Sequence, residues 1–289
     1  MSAVTYATAQ ILRALPRERI GRAIGRLADR QWSPPVARAV VRLYSRLYDV
    51  RLDECLDADR WASFDAFFTR RLREGVRRVD PDPANVTSPA DGRVEAIGVV
   101  EQGGTLVVKG RPYAVAELVG DHQEALRFVG GAACVVYLSP RDYHRVHAPV
   151  SGHIRRIRSM PGDFYPVNAI GMRHVANLFC RNRRVAIEID APLAKVTVVM
   201  VVAMIVGRIT TVGVDARDVP LGDHRFDPPI RVDRGEEIGV FHLGSTAVVL
   251  AEKPVRGSWG IAPGSEGGGQ VRYGQALLRA PGSGNGARA

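Results

Sequence analysis

Three short segments carry the side chains that could do chemistry. They are, in chain order, SPADGRV with Asp91, YHRVHAPVSG with His144 and His147, and LGST with Ser245. A carboxylate, an imidazole and a hydroxyl can form a charge-relay set, because the imidazole takes the hydroxyl proton and the carboxylate stabilises the charged ring. These residue types indicate nucleophilic chemistry at Ser245, provided that the fold brings them together.

Each segment taken alone has an ordinary structural explanation. Asp-Gly is a common turn dipeptide, and Gly-Ser between two runs of strand formers marks a turn or a bulge. The pair His144 and His147 has no third ligand at a clear spacing, so we expect no metal. Ser245 does not stand in a GxSxG nucleophile elbow, since Leu243 and Ala247 occupy its glycine positions.

The charge of the chain limits its partners. Its 289 residues carry a net charge of +10, and the excess is almost wholly arginine, since only Lys109, Lys195 and Lys253 are lysines. Arginine-rich surfaces suit phosphate and carboxylate groups, including anionic lipid headgroups and nucleic acids. The longest apolar run, residues 196–206, is too short to cross a bilayer as a helix, which takes about 20 residues. We therefore expect a buried strand there and only peripheral membrane contact.

The first part of the chain, residues 1–78, is predicted to be helical. Apolar residues recur at helical spacing at Ile20, Ile24 and Leu27, and again at Val36, Val40, Leu43 and Leu47. A third helix is predicted from Ser63 to about Glu74, with Gly75 ending it. Basic amphipathic helices of this kind either lie in a membrane interface or pack on the protein's own core with a solvated basic face. Both alternatives remain open.

Residues 79–279 are predicted to form the catalytic domain, and 280–289 a disordered tail. From about Val86 short β-type runs alternate with Gly, Pro and Asp, as in antiparallel sandwiches and barrels. The predicted class is α+β, with helices preceding a mostly antiparallel sandwich or barrel-like domain. Segments 88–97 and 147–157 share a Pro-x-[Asp/Ser]-Gly turn that leads into a strand, which indicates a possible duplicated β-unit. A lipoyl-type carrier is excluded, because no lysine stands at such a turn.

The order of the motifs carries more information than any one of them. Together they resemble the phosphatidylserine decarboxylase family in its longer bacterial form, over roughly residues 36–255. The segments that carry the resemblance are SFDAFFTRRLREGVRRVD, SPADGRV, KGRPYAVAELVG, YHRVHAPVSG, FYPVNAIGMRHVANLFCRNRRVAIEI and GEEIGVFHLGSTAVVL.

The resemblance implies that the chain cuts itself between Gly244 and Ser245. The Ser245 hydroxyl would attack the Gly244 carbonyl, with His147 as general base and Asp91 orienting the imidazole. The resulting ester would eliminate, and hydrolysis with loss of ammonia would leave a pyruvoyl group derived from Ser245. The products would be a β chain, 1–244, and an α chain, 245–289, that stay associated.

The resemblance also implies the substrate and its location. The pyruvoyl group would form a Schiff base with the amine of phosphatidylserine and act as an electron sink for loss of CO₂, giving phosphatidylethanolamine. His144 is the candidate proton donor, although the sequence does not separate its role from that of His147. The enzyme would bind the cytoplasmic side of the cell membrane peripherally, with a homodimer possible and no nucleic acid as partner.

Two stretches depart from the family pattern. Asn182-Arg183-Arg184-Val185 stands where the family usually has Asn-Glu-Arg-Val, so a base replaces an acid at Arg183. Residues 256–279 match no motif that we can assign. Two rival functions remain: a serine hydrolase or self-cleaving protein without decarboxylase activity, and a nucleic-acid-binding β-domain. The sequence disfavours the second, because it has no basic strand studded with aromatic residues.

Overall fold

The structure is a computed structural model that describes residues 17–56, 60–167, 169–203 and 208–282. The described α-helices are α1 (Arg17–Asp29), α2 (Pro34–Tyr48), α3 (Phe64–Phe68), α4 (Val115–Val119), α5 (His122–Leu126), α6 (Ala169–His174) and α7 (Leu178–Arg181). The described strands are β1 (Val86–Thr87), β2 (Gly92–Val99), β3 (Thr105–Val108), β4 (Arg111–Ala114), β5 (Ala132–Leu138), β6 (Arg145–His147), β7 (Gly152–Met160), β8 (Arg184–Asp190), β9 (Lys195–Val202), β10 (Arg208–Thr211), β11 (Gly222–Val232), β12 (Glu237–His242), β13 (Ser245–Ala251), β14 (Gly260–Ile261), β15 (Gln270–Val271) and β16 (Ala276–Arg279).

An eight-stranded antiparallel sheet forms the centre of the molecule. Its strand order is β11-β7-β8-β9-β13-β5-β2-β15. The central strands β9 and β13 are rich in valine, and every residue of β13 is buried. Strands covered on both faces are apolar throughout rather than alternating, which explains the long apolar run that the sequence showed.

A smaller sheet, β10-β12-β6, leads directly into the central one. The α+β class and the antiparallel sheets are as predicted. The sheets within the described residues are open, so the barrel-like alternative is not the one adopted. The domain boundary at residue 78 stays a prediction. Residues 1–16 of the predicted helical region and 283–289 of the predicted tail lie outside the described residues.

The two Pro-x-x-Gly segments occupy equivalent places in the central sheet, as a duplicated unit would. Strand β2 begins at Gly92 and lies second from one edge, while β7 begins at Gly152 and lies second from the other edge. A Cβ at either glycine would press against a main-chain carbonyl of the neighbouring strand. Glycine is therefore required at both positions by the close approach of two backbones.

The two turns also bind each other in a reciprocal way. The N–H of Thr87 donates to the Pro149 carbonyl at 3.0 Å, and the N–H of His147 donates to the Pro89 carbonyl at 2.7 Å. Thr87 and His147 are equivalent positions of the two segments, and so are the two prolines. The pairing therefore has approximate two-fold symmetry, and it brings the Asp91 turn beside His147.

The third helix is shorter than predicted. Helix α3 begins after the cap residue Ser63, whose Oγ accepts the N–H of Ala66 at 3.1 Å, and it ends at Phe68 rather than near Glu74. Beyond it the chain extends, because the backbone of residues 71–73 pairs with that of residues 54–56. This tertiary pairing replaces the last two turns that the local pattern favoured.

Helix α2 packs through a face different from the predicted one. The buried residues are Ala37, Val41 and Ser45, whereas Leu43 and Leu47 are 70% and 72% exposed. Leu43 and Leu47 of the predicted stripe therefore point to solvent. No helix within the described residues is long and apolar enough to cross a membrane.

Candidate active site

Ser245 lies where the chain passes from one sheet to the other. Strand β12 of the small sheet ends at His242, and β13 of the central sheet begins at Ser245. The two residues between them have positive backbone angles, with φ of 83° at Leu243 and 27° at Gly244. A leucine in this region costs on the order of 1–3 kcal/mol, so backbone strain is stored next to the Gly244–Ser245 bond.

The Ser245 side chain is buried in the centre of the sheet. Its residue pairs with Leu138 of β5 on one side and Val202 of β9 on the other. The Oγ atom is fully buried, and no hydrogen-bond partner for it lies among the described residues. An unpartnered buried hydroxyl is costly, and such groups occur where chemistry needs them.

His147 is held by groups on both sides of its ring. Its Nδ1 lies 2.8 Å from the Gly235 carbonyl oxygen, and its Nε2 lies 3.3 Å from the Tyr143 hydroxyl oxygen. Because a carbonyl can only accept, Nδ1 carries the proton and Nε2 is the free base. Burial also lowers the pKa of His147 below its ordinary value, so the ring is neutral. His147 is therefore poised to accept a proton at Nε2.

His144 also directs its Nδ1 to a main-chain carbonyl, and its ring is more deeply buried than that of His147. Its Nδ1 lies 2.8 Å from the Asp142 carbonyl oxygen, while its buried Nε2 has no partner among the described residues. Burial, aided by the positive charge of Arg70, lowers the pKa of His144 to about 3. His144 is opposite Phe241 on β12, closer in register to Ser245 than is His147, which pairs with Glu237.

Asp91 binds an arginine rather than a histidine. Arg77 donates Nε to both carboxylate oxygens at 3.0 and 3.1 Å and Nη2 to one of them at 2.5 Å. The N–H of Tyr273 donates to Oδ1 at 2.9 Å. The remaining link to His147 is indirect, because the Tyr273 ring lies flat on the imidazole at 3.8 Å between centroids and 4° between planes.

The predicted Asp91, His147 and Ser245 relay is thus not closed by hydrogen bonds in this structure. The fold brings Asp91 and His147 into one site, but the Gly235 carbonyl holds the Nδ1 proton that an aspartate usually holds. The roles assigned to these residues stay predictions.

A cavity of about 560 Å³ opens beside the strained junction. It touches His242 and Leu243, the two residues before Gly244, and it is closed on one side by α1. His242 itself lies 2.9 Å from both carboxylate oxygens of Asp65 through Nδ1. The cavity offers space for a substrate of small-molecule size next to the bond that the sequence singled out.

Known proteins match the chain over most of its length. A sequence profile described as phosphatidylserine decarboxylase matches residues 64–279. A phosphatidylserine decarboxylase proenzyme of Anaeromyxobacter sp. (strain K) is 38% identical over 272 residues, covering 92% of this chain and 95% of the relative. The same-named proteins of Azotobacter vinelandii (39% over 277 residues, 92% and 95% covered) and Myxococcus xanthus (37% over 255 residues, 86% and 90% covered) are similar too.

The chain belongs to the phosphatidylserine decarboxylase family. The matched range, residues 64–279, spans all four positions singled out from the sequence. It also extends through residue 279, so the segment 256–279, which our motifs did not reach, is part of the family domain. That segment supplies Tyr273 to the site.

Sequence reasoning missed three residues around the decarboxylase-family site. Arg77 and Tyr143 stand inside segments that carried the resemblance, so their nearness to Asp91 and His147 along the chain was a usable signal. Tyr273 gave none, because it lies 182 residues from Asp91 in the sequence. Only the folded sheet brings the two together.

Proposed function

We propose that this chain is a proenzyme that cuts itself between Gly244 and Ser245 and then converts phosphatidylserine to phosphatidylethanolamine and CO₂. Membership of the phosphatidylserine decarboxylase family supports the substrate and the reaction. The observation that carries the self-cleavage is the strained junction at Leu243 and Gly244, followed at once by the buried hydroxyl of Ser245, which has no hydrogen-bond partner among the described residues.

In the proposed cleavage the Ser245 hydroxyl adds to the Gly244 carbonyl carbon. His147 accepts the hydroxyl proton at Nε2, the nitrogen that its contacts leave unprotonated. Tyr143 keeps that nitrogen oriented, and burial raises the pKa of the Tyr143 hydroxyl, so it remains a donor. The C–N bond between Gly244 and Ser245 then breaks as the Ser245 nitrogen takes the proton back from His147, which leaves Gly244 as an ester on the Ser245 oxygen. This frees Leu243 from its positive φ and so releases the strain stored there.

Ser245 fits its proposed role as the precursor of a pyruvoyl group. As the first residue of β13 it would become a chain end, and the rest of β13 would keep its pairing with β5 and β9. The pyruvoyl group supplies the electron sink for decarboxylation. His144 is the proposed proton donor to the substrate carbon, and its pKa of about 3 means that it must first take a proton during the reaction.

The proposed lipid substrate requires contact with a membrane, and α2 offers a surface for it. Exposed apolar side chains of this helix, with Leu43 and Leu47 foremost, lie among Arg38, Arg42 and Arg46. Such a helix binds an anionic bilayer by burying its apolar face while its arginines meet lipid phosphates. Peripheral attachment to the cell membrane is the location that we infer.

Intact mass under denaturing conditions tests the proposal. We expect two chains that separate between Gly244 and Ser245, the smaller one lighter by one ammonia and blocked at its N-terminus. The Ser245→Ala variant should give one full-length chain, because it lacks the nucleophile. Cleavage at another bond, or an unmodified serine at the new N-terminus, would contradict the proposed pyruvoyl enzyme.

The two histidines are separated by single variants. We expect His147→Ala to stay uncut, whereas His144→Ala should be cut but should release little CO₂ from phosphatidylserine. A reversed result would exchange the two roles. A cleaved wild-type protein that leaves phosphatidylserine intact would favour the rival reading, a self-cleaving protein without decarboxylase activity.

A further inference from the structure

The cavity beside Leu243 is lined by an unusual number of charged side chains. Four arginines line it, and three aspartates face them, together with His242. The charged lining residues are Arg26, Asp29, Asp65, Arg183, Arg208, Arg217 and Asp218. Two of the arginines have buried N–H groups that find no partner in the described part of the chain, which points to an anionic ligand.

Arg183 is the first of these two. It is 7% exposed, its Nη2 donates to the Val219 carbonyl at 2.8 Å and lies 2.9 Å from Asp218 Oδ1. Its Nη1 is buried and has no partner among the described residues. A guanidinium presents donors in a fixed fork, so once Nη2 is anchored the direction of Nη1 is set. The anchor therefore holds Nη1 in a fixed direction, in a side chain that lines the cavity.

Arg208 is the second. Its Nη1 and Nη2 bind Asp29 at 2.6 and 2.9 Å, and Nη2 also binds Asp65 at 3.0 Å. Its Nε is buried, and no partner for it lies within the residues that the structure describes. Asp29 also pairs with Arg217, and although burial alone would raise the pKa of Asp29, these arginines lower it. The aspartates neutralise the outer ends of the guanidinium groups and leave one donor on each of Arg183 and Arg208.

The proposed substrate has two anionic groups that could meet these donors. Its carboxylate leaves as neutral CO₂, so a cation bound there would stabilise the ground state more than the transition state and slow the reaction. Its phosphodiester keeps its charge throughout, so a cation there strengthens binding without opposing the chemistry. The charge balance of the reaction therefore favours the phosphodiester.

We propose that Arg183, assisted by Arg208, binds the phosphodiester of the lipid headgroup in the cavity beside Leu243. This inference rests on the proposed lipid substrate. It assigns a positive role to the arginine that stands where the family pattern has an acid. It also predicts that substrate and product, which share the phosphodiester, depend on Arg183 equally.

Lipid binding by an uncut chain tests the inference without any catalytic turnover. The background is Ser245→Ala, and the probes are dihexanoyl phosphatidylserine and dihexanoyl phosphatidylethanolamine, titrated as monomers by calorimetry. We expect Arg183→Gln to lower the affinity for both lipids about tenfold, because one charge-assisted hydrogen bond is lost. The matched control is Arg225→Gln on β11, whose side chain is 73% exposed and does not line the cavity, and it should bind both lipids as the parent does.

A second variant guards against loss of folding in Arg183→Gln. Asp218→Asn removes the carboxylate that neutralises Arg183, so it should increase the affinity for both lipids severalfold. If Arg183→Gln bound phosphatidylserine more weakly but phosphatidylethanolamine as tightly as the parent does, Arg183 would contact the serine carboxylate of the substrate. That result would overturn the inference. Unchanged affinities in both variants, or no binding of either lipid to the parent, would overturn it too. Self-cleavage of the Ser245 chain is measured separately, so failure of the proposed function is recognised independently.

Discussion

The carboxylate of Asp91 does not contact His147 directly, and Tyr273 lies between the two residues. Arg77 occupies both of its oxygens, and Tyr273 links it to the imidazole by a main-chain hydrogen bond and a stacked ring. Stacking holds a ring plane without fixing its charge, so Tyr273 is a positioning residue for His147. After the proposed cleavage, Tyr273 would belong to the α chain and His147 to the β chain, so a residue of one chain would position a residue of the other.

Replacing the Tyr273 ring should slow self-cleavage. We expect Tyr273→Ala to cut about tenfold more slowly, because a loosely held imidazole spends less time in the productive geometry. Tyr273→Phe keeps the ring and the main-chain N–H, so it should cut at the wild-type rate. The measurement is the fraction of cut chain against time on a denaturing gel. Equal rates for the alanine and wild-type chains would show that the stacking has no effect on the reaction.

If His147 is the base in the proposed cleavage, its lowered pKa should set the pH dependence of that reaction. A general base works in its neutral form, so the rate falls as the pH drops through its pKa. Burial lowers this pKa below the ordinary 6.5, so the fall should lie below pH 6.5 and the rate should be level above it. Cleavage rates of freshly refolded chain between pH 4.5 and 8 test this. A midpoint above 6.5 would disagree with a buried neutral base.

At the scale of single elements, α2 is the clearest case among the described residues of a helix face with no internal partner. Its packed side uses small residues, and its large apolar residues are exposed. The double variant Leu43→Ser/Leu47→Ser should bind vesicles containing anionic lipid at least tenfold more weakly, since two leucine side chains no longer enter the interface. Flotation with liposomes gives the bound fraction.

The matched control for α2 uses apolar residues that are equally exposed elsewhere. Val99 on β2 and Val255 after β13 are 61% and 90% exposed. Their double change to serine should leave vesicle binding as in the wild type. If both double variants lose binding alike, general surface hydrophobicity and not α2 carries the attachment.

Strand β13 determines what happens to the two chains after cleavage. It is buried along its whole length and pairs over seven residues with β5 and with β9. We therefore expect the α and β chains to elute together in gel filtration without denaturant and to separate only in denaturant. Dissociation under native conditions would contradict the central position of β13.

At the scale of the whole molecule, buried histidines couple stability to pH. The pKa of His144 is about 3 in the folded chain and near 6.5 when unfolded, so only the unfolded state gains this proton as the pH falls from 6.5. Its contribution to the free energy of unfolding is complete above pH 6.5 and falls by about 1.4 kcal/mol per pH unit below it.

Comparison with His144→Phe isolates this group. Both chains carry Ser245→Ala to prevent cutting, and urea unfolding is measured at pH 7 and pH 5. Between the two pH values we expect the wild-type residue to lose about 2 kcal/mol more stability than phenylalanine, which has no proton to gain. Equal losses would mean that His144 is solvated, contrary to its complete burial.

The sequence by itself determined the α+β class and the antiparallel strands, and it singled out Asp91, His144, His147 and Ser245 as candidates for the chemistry. Local patterns sufficed for these, since strand formers, turn glycines and motif order are written along the chain. Even the duplicated turn was visible, in residues 88–97 and 147–157. The family followed from the order of the motifs.

Only the tertiary structure decided how those residues meet. In the folded chain α3 ends at Phe68, Leu43 and Leu47 of α2 are exposed, and Asp91 pairs with Arg77. The tertiary structure also brought Tyr273 onto His147 and placed Arg183 and Arg208 in the lining of one cavity, each with a buried donor that has no partner among the described residues. Each of these depends on contacts between residues far apart in the chain, whose energies override local preference and leave no periodic trace in the sequence.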